Sequence, residues 1–178
     1  MKHIASGLLL VAVSVIVGVA QAFTLTSPQI KPNGTVPLQQ VYTRCGGGNT
    51  SPQLEWRNPP AGTKSFAVSV FDPDAPGGFW HWVAFNIDVG AHGLNPGAGT
   101  PHSGNAPGDT VQLENGFDQH GYSGPCPPPG KPHHYVFTAY ALDVPVLPVS
   151  AAAGANDAIK AIRKHAIATA SFTARYGR

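Results

Sequence analysis

Short apolar runs punctuated by glycine and proline constrain this chain more than any other feature of its sequence. The 178 residues include 21 glycines and 18 prolines. They punctuate short apolar runs, which is the pattern of an all-β domain. Ser65 to Phe71 alternates, with Phe66, Val68 and Val70 on one face and Ala67, Ser69 and Phe71 on the other. Trp80 to Ile87 and His134 to Leu142 are apolar on both faces and read as central strands. Shorter candidates are Phe23 to Thr26, Gln53 to Arg57 and Val111 to Glu114. Together they predict a mostly β sandwich or barrel. One helix is expected, capped by Asn156 or Asp157, carrying Ile159, Ile162 and Ala166 on one face and running to about Ala168. A last strand, Ser171 to Tyr176, follows. Asp88 to Thr110 has few large apolar residues and reads as a long loop, either a flap over a site or a surface excursion.

The first 22 residues read differently. Lys2 precedes the apolar, uncharged run Ile4 to Val19, and Ala20-Gln21-Ala22 offers small residues where a signal peptidase reads. The expectation is a signal peptide over 1–22, a single domain over 23–178, and a periplasmic or secreted mature protein with no stable membrane span. Lys2 is one of 11 Lys and Arg set against nine Asp and Glu. Its removal leaves a charge near +1, which argues against nucleic acid as a partner. In an oxidising compartment Cys45 and Cys126 are expected to pair, against the alternative of two separate buried thiols. Asn33-Gly34-Thr35 and Asn49-Thr50-Ser51 match the glycosylation sequon, which matters only in a eukaryotic source.

Three segments at strand ends carry candidate chemistry. In Asp72-Pro73-Asp74-Ala75-Pro76 the prolines restrict the backbone, so two carboxylates are held with little freedom and can point the same way. The bland alternative is a rigid turn whose carboxylates accept backbone N–H groups. In Trp80-His81-Trp82, alternation sets His81 opposite both tryptophans. In Gly124 to Tyr135 a proline-rich loop enters a strand, with His133 and Tyr135 on one face and His134 on the other. One site could then hold Asp72, His81, His133 and Tyr135. A carboxylate beside imidazoles favours their charged donor form, and two imidazoles and a phenol would converge on an oxyanion between proline walls.

These segments, with Ser51 to Trp56, Pro60 to Ser65, Phe85-Asn86-Ile87, Gly121-Tyr122, Tyr140-Ala141-Leu142 and Ala170 to Arg178, stand in the order found in one family. The chain resembles the phosphatidylethanolamine-binding proteins, also called Raf-kinase-inhibitor-like proteins, most closely their bacterial branch. The resemblance implies a β-sandwich whose central antiparallel sheet has Greek-key features, plus a C-terminal helix and final strand. It implies a shallow pocket for phosphate, acetate or a phospholipid head group, with no cofactor and no metal. By motif match the ligand-binding residues are Asp72, Asp74, Pro76, His81, Pro125, His133 and Tyr135, Pro76 and Pro125 being the proline walls. Two departures stand out. The link Gly77-Gly78-Phe79 is short, and Trp80 stands where many eukaryotic members carry histidine.

The leading functional expectation is therefore a non-catalytic small-anion-binding protein. An alternative is an inhibitor of a protease or kinase-like protein partner, with Asp88 to Thr110 as the contact. A hydrolase or metal enzyme is the third. Against it, Gly121-Tyr122-Ser123-Gly124-Pro125 misses the nucleophile elbow and no metal-ligand spacing is present.

Overall fold

The computed structural model describes residues 21–178 except 102 and 104. Most of the segment read as a signal peptide, residues 1–20, lies outside the described residues. Eight strands and one helix follow: β1 (Thr24–Thr26), β2 (Leu54–Arg57), β3 (Ser65–Asp72), β4 (Phe79–Asp88), β5 (Gly93–Leu94), β6 (Val111–Gln112), β7 (His133–Leu142), α1 (Ala155–His165) and β8 (Ala166–Tyr176). They form a three-stranded sheet, β1-β2-β5, and a five-stranded sheet, β6-β4-β3-β7-β8. Both are antiparallel throughout. In the larger sheet β3, β4 and β6 lie side by side, and β7 returns by a long connection to pair with β3, which is the Greek-key order.

The apolar runs explain the layers. Phe66, Val68 and Val70 of β3 meet Leu25, Leu54 and Trp56 of the small sheet, with Trp82, Phe137 and Phe172 filling the gap. Phe137 and Phe172 stack with centroids 4.9 Å apart. On the far face of the large sheet, Ala67, Val83, Phe85, Tyr140 and Leu142 pack against Ala158, Ile159 and Ile162 of α1. β3 and β7 thus bury both faces, which is why β7 reads as a nearly unbroken apolar run.

The helix departs from expectation at both ends. Its N-cap is Gly154, whose carbonyl accepts the N–H groups of Asp157 and Ala158. Asn156 does not cap, because its Oδ1 accepts the Trp80 indole N–H at 2.8 Å. Asp157 pairs instead with Lys160 at 2.9 Å. The helix stops at His165, whose Nδ1 lies 2.9 Å from Asp143 Oδ1. Ala166 already pairs with Leu142, so the final strand starts five residues before the expected Ser171. Phe172, Ala174 and Tyr176 do share one face, packed on the inter-sheet core.

The Asp88 to Thr110 segment is anchored rather than free. Gly93 and Leu94 pair with β2. Leu94 and Ala98 are buried in the main core. Ser51 receives the Gly97 N–H on its carbonyl and the Gly99 N–H on Oγ. At Gly99 an added Cβ would lie 2.4 Å from the Trp82 ring, so only glycine permits this approach.

Cys45 and Cys126 are bonded, with Cα atoms 5.5 Å apart at a sequence separation of 81. The bond ties the early loop after the turn Thr43–Cys45 to the proline-rich loop before β7. A loop this long carries a chain-entropy stabilisation of about 4.5 kcal/mol. Replacing both cysteines with serine should lower the urea-unfolding free energy by roughly 2–4 kcal/mol while keeping the far-ultraviolet circular dichroism of the native sheet. An unchanged midpoint would show that the bridge does not constrain the unfolded chain.

Candidate functional site

The carboxyl end of β3, the start of β4 and the start of β7 meet at one edge of the large sheet. The Asp-Pro turn lies between β3 and β4. Asp72 is buried, and both of its oxygens are engaged. Oδ1 accepts the backbone N–H groups of Asp74 and Ala75 at 2.8 and 3.2 Å, and Oδ2 lies 2.7 Å from His133 Nδ1. Asp74, exposed, repeats the arrangement outward: its Oδ2 accepts the His134 backbone N–H and faces His134 Nδ1, both at 2.7 Å. The backbone N–H of His134, and then its ring, hold the Asp74 carboxyl below the usual carboxylate range. The rigid-turn reading and the paired-carboxylate reading therefore both describe this segment. The carboxylates organise the turn and orient the two histidines.

A cavity of about 460 Å³ opens here, lined by Asp72, Asp74, Ala75, Pro76, Phe79, His81, Phe117, Cys126, Pro127, Pro128, His133 and Tyr135. The structure thus brings Asp72, Asp74, Pro76, His81, His133 and Tyr135 around one hollow. Pro125 is not among the lining residues. It is buried behind the wall, where its carbonyl accepts the Tyr42 N–H at 3.1 Å. The wall itself is made by Cys126, Pro127 and Pro128, so the disulfide is part of the cavity's frame. A larger recess of about 820 Å³ lies over β2 and β5, lined by side chains such as Glu55, Arg57 and His92. Its acid, Glu55, is already bonded to Gln53 at 2.7 Å.

His81 reaches the cavity through a β-bulge. Val70 pairs with Trp82 and Phe71 with Trp80, so His81 is the extra residue on β4 without an opposite number. Strict alternation is broken at that point, contrary to the expected placement opposite both tryptophans. Trp82 joins the inter-sheet core, Trp80 the helix side, and the His81 ring meets Tyr135 at 5.2 Å between centroids. Bulges commonly re-aim one side chain in this way.

The expected charge state of His81 is also corrected. Its Nδ1 lies 2.7 Å from the Ser123 carbonyl, while the Ser123 N–H donates to the His81 carbonyl at 2.9 Å. A carbonyl only accepts, so Nδ1 carries the proton. Burial pushes the ring down to about 4, outweighing the opposing pull of the Ser123 carbonyl and the Asp72 charge. The ring is neutral at physiological pH, with Nε2 as a lone-pair acceptor. The carboxylate near it loses to desolvation because Phe79 and Phe117 seal the ring, at 4.8 and 5.8 Å between centroids.

Tyr135 is fully buried, and its hydroxyl finds no hydrogen-bond partner among the described residues. Burial, then the Asp72 and Asp74 charges, push the phenol far up, so it stays protonated. Ser123, weighed in the sequence as a nucleophile, is fully buried outside the cavity lining, with its Oγ near Asn115 Nδ2 and Gln119 Oε1. Among the described residues no three His, Cys, Asp or Glu side chains are grouped to hold a metal ion.

Sequence reasoning missed the aromatic wall. Phe117 stacks on Tyr42 at 4.3 Å and leans on Phe79 at 4.7 Å. At Gly116 an added Cβ would fall 2.4 Å from the Phe79 ring. The only available signal was Gly116-Phe117 in a loop otherwise poor in large apolar residues. Asn49, part of a sequon, is buried and accepts the Gly124 N–H at 2.8 Å, so it is a structural anchor of the cavity loop.

The family model described as phosphatidylethanolamine-binding protein matches residues 26–177. The chain belongs to the phosphatidylethanolamine-binding protein family. It is 41% identical over 162 residues to the protein YbcL of Escherichia coli, covering 88% of each chain. It is 36% identical over 156 residues to YbhB of the same organism, covering 85% of this chain and 98% of that one. The crystal structure of YbcL, described as a member of the mammalian family, superposes with a TM-score of 0.86 at 40% identity, covering 89% of this chain and 99% of the other. A solved homologue from Chlamydia trachomatis gives 0.74 at 32% identity, covering 88% and 98%. Membership fits the Greek-key sheet and the helix that precedes the final strand.

The neutral His81 has a consequence for stability. The unfolded chain takes up a proton at this residue near 6.5, the folded chain only near 4. Between those values the unfolded state binds more protons, so stability falls as the pH drops from 6.5 to 4. The loss amounts to about 3 kcal/mol at most. Chemical denaturation at pH 7, 5.5 and 4 should show a smaller acid loss in His81→Gln than in the native protein. Parallel losses in the two would mean that the ring is not held neutral.

Proposed function

We propose that this protein is an exported, non-catalytic binding protein whose cavity receives a small phosphate-type or carboxylate anion, such as a phospholipid head group. Family membership supports a ligand-binding role in general. The observation that carries the finer reading is the Tyr135 hydroxyl, buried, protonated and without a protein partner at the cavity wall. Such a group costs about 1–3 kcal/mol unless something else accepts its hydrogen bond, and an oxyanion oxygen does so. His133 adds a second polar group to the lining, with its Nδ1 held by Asp72 Oδ2 at 2.7 Å. The apolar walls of Phe79, Phe117 and Pro127 keep the hollow partly dry, which strengthens these bonds.

The single-domain reading of 23–178, with a cleaved leader over 1–22, belongs to the same proposal. It is supported by the apolar N-terminal run and by the Cys45–Cys126 bond, which persists in oxidising compartments. Among the described residues no helix is long and apolar enough to cross a membrane.

Calorimetry and histidine-detected NMR with inorganic phosphate and phosphoethanolamine test the reading. The expected affinity is weak, on the order of 10⁻⁴ to 10⁻³ M. Tyr135→Phe should weaken binding roughly fivefold to tenfold, and His133→Ala by more than tenfold. Lys160→Ala, on the exposed face of α1, should change nothing. Unmoved His81 and His133 resonances on addition of either anion would remove the proposal.

A further inference from the structure

One covalent bond joins the two walls of the cavity. Resting on the reading of this cavity as an anion site, we propose that the Cys45–Cys126 disulfide positions that site and makes it redox-gated. A dithiol that reduces the bond loosens the bound anion, and the bound anion protects the bond from reduction.

The hydrogen bonds around the two cysteines carry this. Cys45 stands on a well-held turn. The N–H groups of Cys45 and Gly47 donate to the Tyr42 carbonyl at 2.9 and 3.1 Å, and that of Gly46 donates to the Thr43 carbonyl at 2.9 Å. Tyr42 stacks on Phe117, which lines the cavity, so this turn belongs to the aromatic wall. Cys126 stands in the other wall, Cys126-Pro127-Pro128. Pro127, Pro128 and Pro129 have no N–H to give, so that wall cannot hold itself through its own backbone donors. The Tyr42 N–H on the Pro125 carbonyl and the Gly124 N–H on Asn49 both act before the lining residues begin. Among the described residues, the only hydrogen bond made by Cys126, Pro127 or Pro128 runs from Arg178 Nε to the Pro127 carbonyl at 2.7 Å. The wall thus has two ties, and the disulfide is the one that reaches the aromatic side.

Both cysteines are half-buried and Cys126 lines the cavity, so the bond can be approached from the side that a ligand covers. Reduction by a dithiol passes through a mixed disulfide. One reductant sulfur bonds to a cysteine sulfur as the Cys45–Cys126 bond breaks, and the second reductant sulfur then displaces that cysteine. Two electrons and two protons pass to the protein, leaving two thiols there and a disulfide in the reductant. The proline wall is then free to draw away from the aromatic wall. The sheets, whose buried cores include neither cysteine, stay folded. Linkage makes the coupling reciprocal: the factor that reduction takes from affinity is the factor by which the bound anion resists reduction.

The test uses the mature chain and inorganic phosphate. Calorimetry compares oxidised protein with protein reduced by dithiothreitol, and far-ultraviolet circular dichroism checks the fold of each. Reduction should weaken phosphate binding about tenfold or more, because the wall is no longer preorganised. In the converse measurement, dithiothreitol redox buffers titrate the bond with saturating phosphate or with sodium chloride at equal ionic strength. A tenfold affinity ratio corresponds to a midpoint potential about 30 mV lower in phosphate. Arg178→Ala keeps the disulfide and cuts the other tie, so the oxidised variant should bind phosphate roughly threefold to tenfold more weakly. Equal phosphate affinity in oxidised and reduced protein, or a midpoint indifferent to phosphate, would overturn the gating while leaving the anion-site reading in place. Reduced protein that has lost its sheet signal would overturn it as well, because the bond would then hold the whole fold rather than the wall. Failure of the oxidised protein to bind phosphate would remove both.

Discussion

The site depends on the buried carboxylate of Asp72. Burying an ion is costly unless its lone pairs are filled, and here three contacts fill them: two backbone N–H groups of its own turn and the Nδ1 of His133. The first two close the Asp-Pro turn and fix the end of β3 against the start of β4. The third reaches 61 residues ahead and pins the mouth of β7. One carboxylate thus joins three strands where they would otherwise fray, and in doing so it turns His133 towards the cavity. Its role is positioning, since neither oxygen is left over for a ligand.

Around that anchor the wall is assembled from loops that have no regular structure of their own. The proline-rich segment is held by the disulfide at Cys126, by Asn49 on Gly124, and by the Arg178 Nε donating to the Pro127 carbonyl at 2.7 Å. Proline loses little entropy on ordering, so a few such ties suffice to keep a rigid rim. The opposite wall is aromatic and runs from Tyr42, stacked on Phe117, through the tilted Phe79 ring to His81. The result is a hollow with rigid sides and very few polar groups, each with a fixed role.

Much of the fold was legible because the strands bury both faces or alternate cleanly. The apolar character of Ser65 to Phe71, Trp80 to Ile87 and His134 to Leu142 gave the centre of the large sheet within one or two residues. The helix ends were misplaced because side chains that cap helices in isolation had better partners elsewhere: Asn156 on Trp80, and His165 on Asp143. The long Asp88 to Thr110 segment read as free because its anchors, Ser51 and the Trp82 ring, lie far away in sequence.

The same division runs through the site. Sequence alone determined which residue types stand at the strand ends, that Asp72 and Asp74 sit in a proline-stiffened turn, and that His133 and Tyr135 share a face, because these follow from covalent geometry and the two-residue strand period. Only the tertiary structure decided what each group does. The bulge that carries His81 to the cavity arises from strand pairing, its proton is placed by a carbonyl 42 residues away, and its neutrality comes from desolvation by distant aromatic rings. Those are effects of three-dimensional environment, and a linear pattern of residues does not contain them.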